Sequence, residues 1–222
     1  MRILLHACCG PCLLEPYDAL AAEAAVDVCY ANPNIHPAEE YERRRDTLLA
    51  YAEDTGVAVV EVPYDPSLWA DAVAHAGDDR AARCRACYRL RIGMVAAEAA
   101  RRGYEAVATT LTVSPYQDPD SIREEGERAC AEHGVRFLPT DFRERYPDAT
   151  RRSRELGMYR QNYCGCAPSA VEAERERAAR KAARAAARQA AREAADNGAA
   201  QGAAGGTARG AAEGAADRPA GG

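Results

Sequence analysis

Residues 2–12 read RILLHACCGPC, a short apolar run followed by three cysteines set around Gly10 and Pro11. Arg2–Ala7 has the length and apolar character of a buried strand, and the Gly-Pro pair is the punctuation that ends one. Leu13–Ala25 then carries a helical composition, so the opening residues form a strand, a cysteine-bearing turn and a helix. The pattern recurs downstream. Strands are expected at Val26–Tyr30, Val57–Val62, Ala106–Thr110 and Val135–Pro139, with helices at Pro37–Thr55, Ser67–Ala76, Ala81–Arg102 and Asp120–His133. Gly56, Gly103 and Gly134 stand just after three of those helices, where a left-handed residue commonly closes the last turn. Such alternation predicts an α/β fold built on one doubly wound, mostly parallel, five-stranded sheet.

In a sheet of this kind ligands bind outside the carboxyl ends of the strands. The motifs fall there: CCGPC (8–12) after the first strand, NPNIHP (32–37) after the second, VPYDP (62–66) after the third and TTLTVSPYQD (109–118) after the fourth. Two further segments, CRAC (84–87) and YCGC (163–166), are expected to reach the same edge on the helices that carry them.

Residues 1–170 are expected to form the catalytic domain. Residues 171–196 are rich in Ala, Arg and Glu and almost devoid of large apolar side chains, which predicts a solvated helix; residues 197–222, rich in Ala and Gly, are expected to be disordered. No apolar stretch approaches the ~20 residues of a membrane span, and the first residues do not resemble a cleavable signal, so the expected location is the cytoplasm. Nine cysteines in a reducing compartment point to metal binding or redox chemistry rather than to a disulfide framework. The net charge of −5 counts against indiscriminate nucleic-acid binding. Local runs at Arg43–Arg45, at Arg83, Arg85, Arg89 and Arg91, and at Arg151, Arg152 and Arg154 read as solvated helix faces that could still grip a folded RNA if they converged.

Three constellations carry chemistry. Cys8, Cys9 and Cys12 lie at a strand-to-helix turn, where free amides favour thiolates. The adjacent Cys8 and Cys9 are expected to address two irons of a cluster or two neighbouring metals more readily than one ion. Cys84 and Cys87 form a C-x-x-C pair, a common chelating unit for zinc or iron–sulfur clusters, with a thioredoxin-like redox pair as the rival. Together with the first group they offer a four-thiolate site, Cys8, Cys9, Cys84 and Cys87, with Cys12 to spare. Cys164 and Cys166 form a C-x-C pair suited to a strained, easily reduced disulfide that cycles as a two-electron store, or else to a second pair of metal ligands. Cys29 and Cys130 read as core residues, as does His6; His36 is the one histidine near the expected site.

LLHACCGPC (4–12), YANPNIHPAEEYERR (30–44), RCRACYRLR (83–91), TTLTVSPYQD (109–118) and YRQNYCGC (159–166) occur in that order. Together they resemble the QueH family, the cobalamin-independent epoxyqueuosine reductases, over the whole globular part. The resemblance implies a Rossmann-like fold similar to nucleotide-binding hydrolases and tRNA-thiolating enzymes. It also implies reductive removal of the epoxide oxygen from epoxyqueuosine at the tRNA wobble position. It further implies a [4Fe-4S] cluster held by Cys8, Cys9, Cys84 and Cys87, a redox-active disulfide at Cys164 and Cys166, and an external electron donor. Some members are described with an additional iron ion near the cluster and an Asp where this chain has Cys12, which makes Cys12 a candidate ligand.

Removing an epoxide oxygen consumes two electrons and two protons, and an iron with an open position can act as Lewis acid on that oxygen. Tyr116, Asp118 and Tyr163 are candidate proton donors, and Tyr41, Tyr88, Tyr116 and Tyr159 candidate stacking partners for an anticodon base. Two rivals remain at this level. A zinc-stabilised RNA-binding module would use the same cysteine pairs without catalysis. An ATP-using tRNA-modifying enzyme of related fold would need a phosphate loop richer in small residues than CCGPC.

Overall fold

The computed structural model describes the backbone of residues 1–207 and the side chains of residues 1–194. Five parallel strands form one sheet in the order β3-β2-β1-β4-β5: β1 (Arg2–His6), β2 (Ala25–Tyr30), β3 (Val59–Glu61), β4 (Ala106–Thr109) and β5 (Arg136–Phe137). β1 is central. Its Ile3 is in register with Val26 on one side and with Ala106 on the other.

Side chains of β1 alternate between faces, as the pleat requires. Ile3 and Leu5 pack with Leu13, Val28, Tyr41 and Leu48 beneath α1 (Gly10–Ala21) and α2 (Ala38–Thr55). Leu4 packs with Ile92, Val95, Ile122 and Phe137 on the opposite face, beneath α4 (Arg80–Arg102) and α5 (Pro119–Glu132). Cys29 and Cys130 are buried in this second core. Helices on both faces of a parallel sheet explain why every residue of β4 is buried.

The expected elements are present, with shorter edge strands. β3 keeps three residues and β5 two, because each is paired on one side only. α3 spans Pro66–Val73, capped by the Asp65 carboxylate on the Ser67 amide at 2.9 Å. α1 begins at Gly10, three residues earlier than expected, with Cys9 as its N-cap and Pro11 in its first turn. Cys12 is therefore already helical.

One helix was not expected from the sequence: α6, Tyr146–Glu155. It has no apolar stripe. Polar contacts seat it instead, with Arg152 Nη1 donating to Glu15 Oε1 and to Asp18 Oδ2, both at 2.7 Å, while Ala149 and Ser153 are buried.

The described chain divides into two units at the Ala170–Val171 boundary. α7 runs from Ala167 to Thr207. It continues past Asn197, where the sequence predicts disorder to begin; the rest of that predicted segment, 208–222, lies outside the described residues. Among the described residues no helix is long and apolar enough to cross a membrane.

Candidate active site

The strand order places the switch point of the sheet at β1, with β2 on one side and β4 on the other. The chain leaves β1 as Ala7-Cys8-Cys9 and turns directly into α1, carrying three sulfurs to that edge. Asn32 Nδ2 fixes the turn by donating to the Ala7 carbonyl at 2.9 Å, and the Cys8 amide donates to Thr110 Oγ1 at 3.2 Å. Thr110 Oγ1 in turn lies 3.5 Å from Cys8 Sγ, so the fourth strand's loop holds the first cysteine.

The sulfurs of Cys8, Cys9 and Cys12 all lie within 4.8 Å of one another, a geometry that could hold a metal ion. Cys8 and Cys9 are 3.8 Å apart. That equals the edge of a sulfur tetrahedron around one ion at a metal–sulfur distance of about 2.3 Å, which is about 3.8 Å. The extended Cys9 backbone, φ −175°, and the helical Cys12 let all three sulfurs converge, so one ion is within their reach as well as the two irons of a cluster. Their ionisation is shared. Hydrogen bonds from the Cys12 and Cys9 thiols hold Cys8 well below the ordinary thiol range, against burial. Burial pushes Cys9 up to about 12, and the bond to Cys8 raises Cys12.

Cys84 and Cys87 occupy the first two turns of α4 and fall outside the 4.8 Å group. Cys84 and Cys8 pack against the same core, which includes Tyr88 and Leu111. Burial raises Cys84 and pushes Cys87 up to about 12; charge on Cys164 and Cys166 adds to both shifts.

One turn beyond Cys87, Arg91 is 1 % exposed. Its Nη2 donates to Asn32 Oδ1 at 2.5 Å, and its positive charge favours the thiolates of Cys8, Cys87 and Cys164 against the cost of burial. The CCGPC, CRAC and YCGC segments therefore share one buried guanidinium. Neither Arg91 Nε and Nη1 nor the Trp69 indole Nε1 finds a hydrogen-bonding partner within ordinary distance. Both side chains act on the buried Cys87 thiol, and buried donors beside thiols suit an anionic metal–thiolate centre.

The YCGC loop is pinned from below. Arg44 Nη1 donates to the Cys164 carbonyl at 2.9 Å, Nη2 to the Tyr163 carbonyl at 3.3 Å, and Nε to Glu40 Oε1 at 2.7 Å. The His36 amide donates to the Gly165 carbonyl at 2.8 Å. Gly165 has φ +141°, and an added Cβ would stand 3.0 Å from Asn34 Nδ2 and 3.1 Å from an Ile35 methylene, so the turn requires glycine. Both cysteines of the loop are free thiols. Cys166 is buried. Cys164 is exposed as a residue, while its sulfur sits among protein atoms that raise its pKa, with Gln117 Nε2 3.6 Å away. Gln161 Nε2 donates to Cys9 Sγ at 2.9 Å, linking this segment back to the trio.

Several sequence-level nominations are reassigned. Arg44 and Arg91 were expected on solvated faces and are buried at the site. Tyr41 is buried and stacked on Tyr64 at 4.0 Å, and Tyr88 is buried with its hydroxyl donating to Gln117 Oε1 at 2.7 Å. Tyr159 donates to Glu40 Oε2 at 2.7 Å. Of the four tyrosines named for base stacking, Tyr116 is the exposed one, at 70 %. Tyr163 donates its proton to the His36 carbonyl at 2.6 Å. Asp118 caps α5, and hydrogen bonds led by the Ser121 hydroxyl hold its carboxyl below its usual range, which makes it a standing anion.

Compared with known proteins, residues 3–172 match the family described as epoxyqueuosine reductase QueH. The chain belongs to the QueH family. Relatives named epoxyqueuosine reductase QueH include those of Dehalococcoides mccartyi, 35 % identical over 77 % of this chain and 93 % of the relative. Others are from Thermotoga maritima, 34 % identical over 79 % and 94 %, and Staphylococcus aureus, 33 % identical over 77 % and 76 %. As a QueH protein the chain is an oxidoreductase. The α7 residues after 172 lie outside the match to QueH.

Proposed function

We propose that this QueH chain, acting in the cytoplasm, removes the epoxide oxygen from epoxyqueuosine at the wobble position of a tRNA. Its name-bearing relatives support the substrate. The observation that carries the chemistry is the gathering of the Cys8, Cys9 and Cys12 sulfurs within 4.8 Å beside a buried arginine.

In this reading Cys8, Cys9, Cys84 and Cys87 hold a [4Fe-4S] cluster, and Cys12 helps hold an additional iron. A bound iron centre of this kind supplies Lewis acidity and a path for electrons. The protein's own part follows from the geometry. Arg91 offsets the negative charge of the gathered thiolates, and Thr110 and Gln161 orient Cys8 and Cys9. Cys164 and Cys166, as a dithiol, hold the two electrons and two protons that the reaction consumes. The epoxide becomes an alkene, its oxygen leaves as water, and the dithiol becomes a disulfide. An external electron donor supplies two electrons, with two protons, to reset the pair. Arg44 holds the Cys164 backbone in place through its carbonyl, at a residue that is exposed in its loop.

Anaerobic incubation with tRNA carrying epoxyqueuosine, followed by nucleoside mass analysis, tests the reading. Loss of one oxygen is expected; unchanged epoxyqueuosine with iron-loaded, reduced protein would end it. The 3.8 Å separation of Cys8 and Cys9 equally suits one zinc ion, which keeps the structural zinc module as a second reading. Brown protein containing iron and sulfide supports the enzyme, and colourless protein containing zinc alone supports the module.

A further inference from the structure

Between Glu176 and Glu193 the sequence RAARKAARAAARQAAR contains six basic residues and no carboxylate. All of it is helical and exposed, within α7. At 100° per residue, Arg177, Arg180, Lys181, Arg184, Arg188 and Arg192 fall inside an arc of about 120°, forming a stripe about 22 Å long. The other side of the same turns is alanine, apart from Gln189. Helix propensity builds this surface, since Ala, Arg, Lys and Gln are all strong helix formers.

Among the described residues, most members of the other arginine clusters named above are paired or buried. Arg85 pairs with Glu124 and Glu125, Arg89 with Glu132, Arg151 with Asp148 and Glu155, and Arg152 with Glu15 and Asp18. Arg44 and Arg91 are buried. Within the stripe, Arg180 meets Glu176 at 3.3 Å at one end, and the sequence supplies no further acidic side chain until Glu193. Past that end Lys181, Arg184, Arg188 and Arg192 stand closely spaced with no carboxylate in the sequence between them. Such a row holds a dense atmosphere of anions, and a polyanion that displaces them gains the entropy of their release.

We propose that this face of α7 docks the phosphate backbone of the tRNA substrate, adding sequence-independent affinity to a site that reads the modified base. The proposal rests on the tRNA substrate argued above. It concerns residues beyond the QueH match, so it is a property of this chain's extension. Two features favour RNA over an anionic membrane. The face opposite the cations has no Leu, Phe or Trp to insert among acyl chains, and arginine, five of the six cations, forks onto phosphate oxygens.

Lys181 is the single lysine of the chain, so it serves as a reporter inside the stripe. The full-length protein is treated with an amine-acylating reagent, with and without an unmodified tRNA transcript, and the peptide carrying Lys181 is quantified by mass spectrometry. Protection by tRNA of about fivefold or more is expected, while anionic phosphatidylglycerol vesicles protect weakly. A full-length variant with Arg180, Lys181, Arg184, Arg188 and Arg192 all changed to Gln is then titrated with the same transcript at several salt concentrations. The slope of log Kd against log salt should fall by about 4, at roughly 0.7 to 0.9 per lost phosphate contact. Circular dichroism should show the helix retained. Lys181 left unprotected by tRNA, or protected by vesicles alone, overturns the proposal, as does an unchanged salt slope in the helical variant. Because the transcript carries no epoxide, these results stand apart from the test of epoxide reduction. Epoxide loss with an unchanged slope removes only the docking face, whereas a changed slope without epoxide loss removes only the activity.

Discussion

The guanidinium of Arg44, 1 % exposed, reaches from α2 to the main-chain carbonyl of Cys164 at 2.9 Å, so a buried cation sets the position of the Cys164 backbone and of the thiol it carries. Its second partner, Glu40, is also buried and depends on the pair. Arg44→Met should therefore destabilise the protein by about 3–5 kcal/mol, the usual cost of stranding one member of a buried ion pair. Arg44→Lys keeps the charge but cannot make the three bonds together, and should lower kcat more than stability. Urea unfolding and turnover measured side by side separate the two outcomes.

Cys84→Ser and Cys164→Ser should fail differently. The first should lose iron and activity together. The second should keep its iron and visible spectrum while falling at least about 100-fold in multiple turnover, because only the two-electron store is removed. Full turnover by Cys164→Ser would refute the redox role of that pair.

Stability should fall on the acid side because of His6. Burial holds its pKa down to about 3, against 6.5 for the free side chain, with Nδ1 at 2.8 Å from Thr109 Oγ1. Below pH 6.5 the unfolded chain binds a proton that the native protein refuses. The native state thus loses about 1.4 kcal/mol per pH unit from pH 6.5 down towards pH 3. Replacing His6 by Gln should remove that one-proton slope from the urea-unfolding free energy measured between pH 4 and 7.

Gly126 on α5 has no room for a side chain, since a Cβ there would stand 2.6 Å from the Phe137 ring. Gly126→Ala should cost about 1–3 kcal/mol despite alanine's better helix propensity. Gly56→Ala probes a different cause: its φ of +72° lies in open space, so the penalty there is conformational alone and should be smaller. Thermal denaturation of both variants checks the order.

The sheet was readable in the chain because few structures need apolar runs at βα spacing, and the gathering of Cys8, Cys9 and Cys12 because three thiols fall within five residues of one turn. Arg44 and Arg91 were not, since charge in a sequence predicts exposure, and only the tertiary fold shows thiols and carbonyls surrounding a cation. α6 escaped for the mirror reason: it docks through Arg152 and its carboxylates and leaves no apolar period to detect. Tyr41 and Tyr88, candidate stacking partners that stand beside arginines as packed tyrosines also do, have rings that fill the two cores on either face of the sheet.

Cys84, Cys87, Tyr88 and Arg91 follow one another on α4 at spacings that keep them along a single side of the helix. This segment is a ruler with no slack. One residue added between Cys87 and Arg91 would swing the guanidinium by about 100° away from the sulfurs, whereas one added in the turn at Gly103 would leave the alignment intact. Length variation among natural or designed versions of this enzyme should therefore gather after α4, and the stretch from Cys84 to Arg91 should keep a fixed length.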